Sequence, residues 1–196
     1  MENSVVFIDV EVSEKNHKIR DFGAVKDNGA VFHSGNKDDF FRFVGKPKFV
    51  CGHNIIHHDL MFINEEAGLF QKIRAAAIDT LYLSPLLFPK RPYHALVKND
   101  KLQTEELNNP VNDSLKAKEL LYDEINAFSS LSEDIQQIFC HLLYDKKEFH
   151  GFFEYVNCIP KRLNVVQLIK NSFEEKICHH SDIALLIKTV PCELAY

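Results

Sequence analysis

Apolar residues form a nearly continuous run near the start of the chain, in the segment SVVFIDVEV. Such a run is typical of a central strand covered on both faces. The stretch IRDFGAVKDNGAVFHS then predicts two further strands joined by a turn at Asp27-Asn28-Gly29, because Asn-Gly supplies the positive φ angles of a tight hairpin. The N-terminal part therefore predicts a three-stranded meander.

The next segments predict helices and strands in alternation. KDDFFRFV predicts a short helix, and FVCGHN predicts a buried strand that ends at Gly52. A helix is expected to follow through HHDLMFINEEAGL, with Asn54 as its capping residue.

A second strand-helix unit lies in AAAIDTLYLSPLLF. Its strand is expected to end at Ile78, and Asp79 or Thr80 is positioned to cap the helix, which ends at Pro89. The apolar face of this helix includes Leu83, Leu86 and Leu87.

The clearest helix signal is NPVNDSLKAKELLYDEINAF. Asn109 is a capping residue, Pro110 occupies the first helical position, and Asp113 falls in the first turn. The apolar positions expected on its buried face are Leu115, Leu120, Leu121 and Ile125.

Beyond about residue 130 the pattern is helical with interruptions and predicts no strand that would extend the sheet. The expected fold class is therefore α/β, with a mixed five-stranded sheet flanked by helices. We expect a core over residues 1–128 and a helical appendage over residues 129–196 that packs on it. The apolar ending ELAY suggests a fragment of a longer chain.

Composition narrows the class of protein. With 45% hydrophobic and 26% charged residues, the 196-residue chain is typical of one globular domain with an appendage. It has no apolar run of the roughly 18 residues that a membrane helix needs and no secretory signal at its start, which predicts a cytoplasmic protein without membrane contact. Five scattered cysteines without CxxC spacing predict reduced thiols.

Two carboxylates stand out in the first strand. Residues two apart on a strand point to the same face, so Asp9 and Glu11 project together, roughly 6.5 to 7 Å apart. Acids in an apolar strand are costly to bury unless they are paired or bind a cation. The alternative for this Asp-x-Glu pair is an exposed strand end.

Two further acids follow at the starts of predicted helices. Asp59 comes shortly after Asn54, and Asp113 lies in the first turn after Pro110. Taken alone, each would simply complement a helix dipole. The order and context of all four acids, together with the IDT unit, favour a shared site.

That series resembles the DnaQ-like DEDD 3′-to-5′ exonuclease superfamily, over roughly residues 4 to 125. More narrowly, the phrases CGHNIIHHDL, IDTLYLSPLLFP and NNPVNDSLKAKELLYDE resemble the exonuclease-like N-terminal domain of certain bacterial RecQ-type helicases. The resemblance implies a ribonuclease H-like fold. It also implies that two Mg²⁺ or Mn²⁺ ions are held by Asp9, Glu11, Asp59 and Asp113.

The resemblance also exposes a departure from the family pattern. Where the family has its general-base histidine, five positions before the last aspartate, this chain has Asn108, and the tyrosine alternative is replaced by Asn109. Asparagine does not accept a proton at neutral pH. His94 is the candidate substitute base, with a structural role as the alternative.

The implied substrate is the 3′ end of single-stranded DNA, with RNA as an alternative, and the helicase part of the same full-length chain is the implied partner. The net charge of −5 argues against a broad surface for duplex DNA. Candidate nucleic-acid contacts are Asn54, Lys90, Arg91 and Lys98, with Lys101 nearby. The alternative for the three lysines and Arg91 is a solvated basic loop.

Other groups favour packing over chemistry. The alternative to a functional role is packing or surface exposure for three histidines, His53, His57 and His58. Zinc binding is not favoured for the Cys140-His141 and Cys178-His179-His180 groups, because they lack the spacing of a zinc site. Two other functions stay open. One is a catalytically weak or inactive module of the same fold that docks nucleic acid or protein. The other is a small-molecule phosphodiesterase.

Overall fold

The computed structural model describes residues 4–64, 77–96, 109–174, 176–178 and 180–196. Its centre is a five-stranded mixed sheet in the order β3-β2-β1-β4-β5. β2 is antiparallel to both β1 and β3, whereas β4 is parallel to β1 and β5. The strands are β1 Val5–Val12, β2 Ile19–Lys26, β3 Val31–Ser34, β4 Phe49–Gly52 and β5 Ala77–Asp79.

Helices flank this sheet, which confirms the α/β class with a mixed five-stranded sheet. In the described parts of the chain they are α1 Lys37–Val44, α2 Asp59–Asn64, α3 Thr80–Leu87, α4 Pro110–Ser129, α5 Glu133–Leu143, α6 Lys147–Tyr155, α7 Val165–Ser172, α8 Ile183–Thr189 and α9 Pro191–Ala195. None of these helices is long and apolar enough to cross a membrane.

Both faces of the sheet are covered. On one face, Val6, Ile8 and Val10 of β1 pack in a cluster that includes side chains of α1 and α2. On the other face, Val5 and Phe7 pack in a second cluster that extends through α3 to α8. A strand buried on both faces needs apolar side chains at consecutive positions, which explains the unbroken run at the start of the chain.

Local sequence signals act where they were expected. The β2–β3 turn has Gly29 at φ 86° and the Asn28 side chain accepting the Ala30 N–H at 3.1 Å. Asn109 caps α4, its side chain accepting the Val111 N–H at 3.0 Å, and Pro110 is the first helical residue. Both signals are confirmed.

Two local predictions were wrong. Asn54 does not cap a helix: it adopts a left-handed φ of 64°, and α2 begins only at Asp59, after hydrogen-bonded turns. Leu115 was expected on the buried face of α4, but it is 38% exposed. The buried face carries Leu121, as expected, together with the large Phe128 and three small or polar residues, Ser114, Ala117 and Glu124.

In the described residues after 130, the regular secondary structure is entirely helical. Phe149, Phe152 and Phe153 of α6 are fully buried in the same cluster as Phe7 and residues of β4 and β5. The helices beyond α4 therefore share a hydrophobic core with the sheet. All five cysteines are free thiols.

Candidate metal centre

Two acids of the sheet lie on the face that α4 covers. Asp9 and Glu11 lie on the same face of β1 as Phe7, which is the α4 side. Across the antiparallel ladder Asp9 pairs with Gly23, and Glu11 pairs with Asp21. The two-residue period of a strand thus aims both carboxylates at the N-terminal end of α4.

Gly23 allows α4 to approach this part of the sheet closely. A Cβ at Gly23 would lie 2.3 Å from the carbonyl carbon of Pro110 and 2.5 Å from the nitrogen of Val111. No side chain fits in that space. The first turn of α4, which carries Asp113, therefore rests directly on the backbone of β2.

The result is a cluster of three carboxylates, which we call the acidic triad: Asp9, Glu11 and Asp113. Each is partly buried, and one oxygen from each lies within 4.8 Å of the others. Carboxylate oxygens are the ligands that Mg²⁺ and Mn²⁺ prefer. The donor set therefore fits a hard divalent cation, and carboxylates this close repel one another unless a cation lies between them.

One cation of the chain already contacts the acidic triad. Lys116 Nζ lies 3.5 Å from Asp113 Oδ1, one helical turn along α4. The ammonium offsets part of the negative charge.

Asp59 lies beside the acidic triad but is not one of its three members. Its side chain is 1% exposed, and its Oδ1 accepts the N–H of Val10, the residue between Asp9 and Glu11, at 2.9 Å. Among the described residues its Oδ2 has no hydrogen-bond partner. Burial raises the pKa of Asp59, against hydrogen bonds from His58 and Val10. A buried carboxylate oxygen without a partner is the kind of group that a cation satisfies.

Two histidines border the acids. His58 Nδ1 lies 3.7 Å from Asp59 Oδ1, and this contact raises the pKa of His58, with a smaller contribution from Glu11. His53 Nδ1 hydrogen-bonds to Thr80 Oγ1 at 2.9 Å. Burial lowers the pKa of His53 to about 4, against the opposing effect of Asp113. His53 is therefore neutral at physiological pH.

Asp79 holds the loop that leads to Asp59. It caps α3 through the Leu81 N–H at 3.1 Å, as expected, and also accepts the N–H groups of Asn54 at 2.8 Å and Ile56 at 3.0 Å. Burial raises its pKa to about 6. These bonds explain how a short polar loop is held against the end of β4.

A cavity of about 550 Å³ lies between α4 and the segment that follows α3. His94 lines it and hydrogen-bonds to Ser84 Oγ at 2.9 Å. Arg91 also lines it, with its guanidinium 3.8 Å from the centre of the Phe88 ring. Lys116 lines the same cavity and so connects it to Asp113.

Other expected contacts have different outcomes. Lys90 is exposed and is not among the residues that line this cavity. The Asn54 backbone contacts Asp79, so the residue lies at the loop before α2. Asn108, Lys98 and Lys101 lie outside the described residues.

Sequence reasoning missed Lys116 and gave His53 only a packing or surface role. Lys116 had a detectable signal, because residues three apart on a helix are neighbours and Asp113 is itself a candidate ligand. His53 had none, because its approach to Asp113 depends on how β4 and α4 pack.

Comparison of this chain with protein-family models, with curated proteins and with solved structures gave no match. A functional interpretation therefore depends on the chemistry of the site.

Proposed function

We propose that this chain is a metal-dependent 3′-to-5′ exonuclease domain of the DnaQ-like DEDD type with a ribonuclease H-like fold. Its proposed substrate is the 3′ end of single-stranded DNA, or of RNA, in a cytoplasmic DNA-processing protein with a helicase part. The observation that carries the proposal is the meeting of Asp9 and Glu11 from β1 with Asp113 from α4. The mixed five-stranded sheet flanked by helices also supports it.

The acids suit the two cations that this activity uses. The acidic triad would hold one ion, and Asp59, with its buried Oδ2, would serve the second. When bound, Mg²⁺ or Mn²⁺ supplies the Lewis acidity that activates water and offsets charge on the scissile phosphate. The carboxylates would hold the ions in position, and α4 sets the position of Asp113.

The remaining polar groups have separate tasks in this proposal. The Lys116 ammonium neutralises charge on the substrate phosphate beside Asp113. His94, oriented by Ser84, is the candidate proton acceptor in place of Asn108. His53 is neutral and lies within electrostatic range of both Asp113 and His94, but its pKa of about 4 makes it a weak proton acceptor.

The cavity that Lys116 connects to Asp113 supports a single strand as the substrate. Arg91, His94 and Lys116 offer it positive or hydrogen-bonding groups, and the 79% exposed ring of Tyr93 offers a stacking surface for a base. Glu119 and Asp123 lie in the same lining. A lining that combines cations with carboxylates suits a short strand end better than a long duplex.

The test is digestion of a 3′-labelled single-stranded DNA oligonucleotide with Mg²⁺ or Mn²⁺. We expect removal of the label by the wild type and loss of activity by at least about 100-fold in Asp9→Asn and Asp113→Asn. Asp134→Asn is the matched control, because Asp134 lies in the first turn of α5, away from the acidic triad. A 5′-labelled copy of the strand should give a ladder if degradation starts at the 3′ end.

A docking module of the same fold is the second candidate, favoured by the contact between Lys116 and Asp113. An internal ammonium can take the place of a metal ion in offsetting buried carboxylates. If no metal yields products from DNA or RNA, and the strand still binds with equal affinity to the wild type and Asp9→Asn, the docking function is correct and the exonuclease proposal fails.

A further inference from the structure

Cys140 and Cys158 form a thiol pair far from the acids in the sequence. Cys140 lies in α5 and is fully buried, whereas Cys158 follows α6 and is partly exposed. The Cys140 thiol donates to the backbone carbonyl of Cys158 at 2.9 Å. A thiol in direct contact with the backbone of a second cysteine needs little movement to bond at the roughly 2.05 Å of a disulfide.

The surroundings distinguish the two sulfurs. Gln137 Nε2 lies 3.8 Å from the Cys158 sulfur. The hydrogen bond from Cys140, together with the charge of Lys161, lowers the pKa of Cys158, although burial opposes this. The same contact and burial raise the pKa of Cys140. Cys158 is therefore the better nucleophile, and Cys140 is the partner that reacts second.

Access also differs between them. Cys158 lines a cavity of about 680 Å³ together with Asn157, Ile159 and Lys161. Cys140 does not line it and has no exposed surface. A small oxidant therefore reaches Cys158 first.

We propose that Cys158 and Cys140 are a peroxide-sensitive pair that forms a reversible intramolecular disulfide between α5 and the segment after α6. The Cys158 thiolate attacks the peroxide, so that an S–O bond forms, the O–O bond breaks and hydroxide leaves as water after taking a proton. The Cys140 thiol then loses its proton and attacks the Cys158 sulfur, so that the S–S bond forms, the S–O bond breaks and the hydroxide takes that proton and leaves as a second water. Two thiols are oxidised and one hydrogen peroxide is reduced to two waters.

The disulfide would reinforce contacts that already join these segments. Gln137 Oε1 accepts the Lys161 N–H at 3.0 Å, and Lys161 Nζ forms an ion pair with Glu133. A covalent bond between α5 and Cys158 would limit the opening of this side of the helical region. It would involve none of the residues of the acidic triad.

The test uses the full chain treated with hydrogen peroxide, blocked with N-ethylmaleimide and digested for peptide mass spectrometry. We expect a Cys140–Cys158 cross-linked peptide, about 2 Da lighter than the sum of its reduced parts, that dithiothreitol removes. This measurement needs no variant, so it does not depend on how a substitution folds. Absence of the cross-link while other cysteines oxidise would overturn the proposal.

Three variants define the roles of the sulfurs. Cys158→Ser should abolish the cross-link, and Cys140→Ser should leave a sulfenic acid on Cys158 that dimedone traps. Cys178→Ser is the control, because Cys178 is an exposed thiol elsewhere in the helical region and its removal should not change the cross-link. Dimedone labelling at Cys178 rather than Cys158 in the Cys140→Ser variant would contradict the assigned order of attack.

Discussion

Gly23 of β2 lies directly against Pro110 of α4, so closely that an added Cβ would lie 2.3 Å from the Pro110 carbonyl carbon. Gly23 is also the ladder partner of Asp9. One glycine therefore sets both the approach of the helix and the distance from Asp113 to the two strand acids.

The first prediction concerns this contact. Gly23→Ala should lower the free energy of unfolding by about 1–3 kcal/mol, because overpacking forces the backbone of α4 away from the sheet. It should also weaken Mn²⁺ binding by about tenfold or more, because Asp113 moves away from Asp9 and Glu11. Thermal unfolding and isothermal titration calorimetry measure the two effects.

Gly29→Ala is the control for this glycine. Gly29 has φ 86° and open space around its Cβ position, so alanine strains the turn without touching α4. Stability should fall and Mn²⁺ affinity should stay the same. Equal losses of affinity in both variants would show that Gly23 acts only through general stability.

The second prediction concerns competition between Lys116 and a metal ion. Lys116→Met removes the ammonium that lies 3.5 Å from Asp113, so Mn²⁺ affinity should rise. A partly exposed ion pair contributes about 0–1 kcal/mol, which corresponds to an increase of up to about fivefold. Affinity for single-stranded DNA should fall in the same variant.

Lys118→Met is the matched control on the same helix. Lys118 Nζ lies 3.6 Å from Asp27, away from the acidic triad, so its loss should leave Mn²⁺ affinity unchanged. Mn²⁺ affinity that is unchanged in Lys116→Met as well would show that the ammonium does not compete with the ion.

The third prediction separates two roles of Asp59. Asp59→Asn keeps an oxygen that can accept the Val10 N–H but removes a charge that burial disfavours, so the metal-free protein should be at least as stable as the wild type. Activity should nevertheless fall by at least about tenfold, because a neutral amide is a poorer ligand. Chemical denaturation in EDTA and the oligonucleotide assay measure the two effects.

Asp59→Leu provides the comparison for the structural role. It leaves the Val10 N–H without its acceptor, at a cost of about 1–3 kcal/mol. Wild-type activity in Asp59→Asn would mean that Asp59 serves only the backbone of β1.

The fourth prediction concerns Glu124, which is completely buried in α4 and has no side-chain hydrogen bond to the described residues. Burial raises its pKa well above 4.5, and Asp79 raises it further. The folded protein therefore keeps a proton that the unfolded chain releases as pH rises above about 4.5. The contribution of Glu124 to stability is therefore fully present below about pH 4.5 and is lost as pH rises, by about 1.4 kcal/mol per pH unit for one proton.

Glu124→Gln should flatten this part of the pH profile and make the protein more stable than the wild type at pH 8. Asp79, whose pKa is raised to about 6, should still lower stability between about pH 4 and 6 in the variant. Urea denaturation across pH 4 to 8 measures both slopes. Parallel profiles for the two proteins would show that Glu124 is not the group responsible.

Several features could be predicted because they depend on local chemistry. The apolar run in β1, the Asn28-Gly29 turn and the Asn109-Pro110 start of α4 each act within a few residues. The two-residue period of a strand is equally local, and it places Asp9 and Glu11 on one face. Local patterns did not predict the conformation of Asn54. Its backbone N–H donates to Asp79, which is distant in the sequence, and the residue does not cap a helix.

The sequence by itself determined the elements and the pair of acids on β1. Only the tertiary structure decided that Asp113 meets that pair, that Asp59 binds the Val10 backbone and that Lys116 lies at the acidic triad. The physical reason is that distances between remote segments depend on how closely a helix packs on a sheet. Here that distance is set by the missing side chain of Gly23, which no periodicity in the sequence encodes.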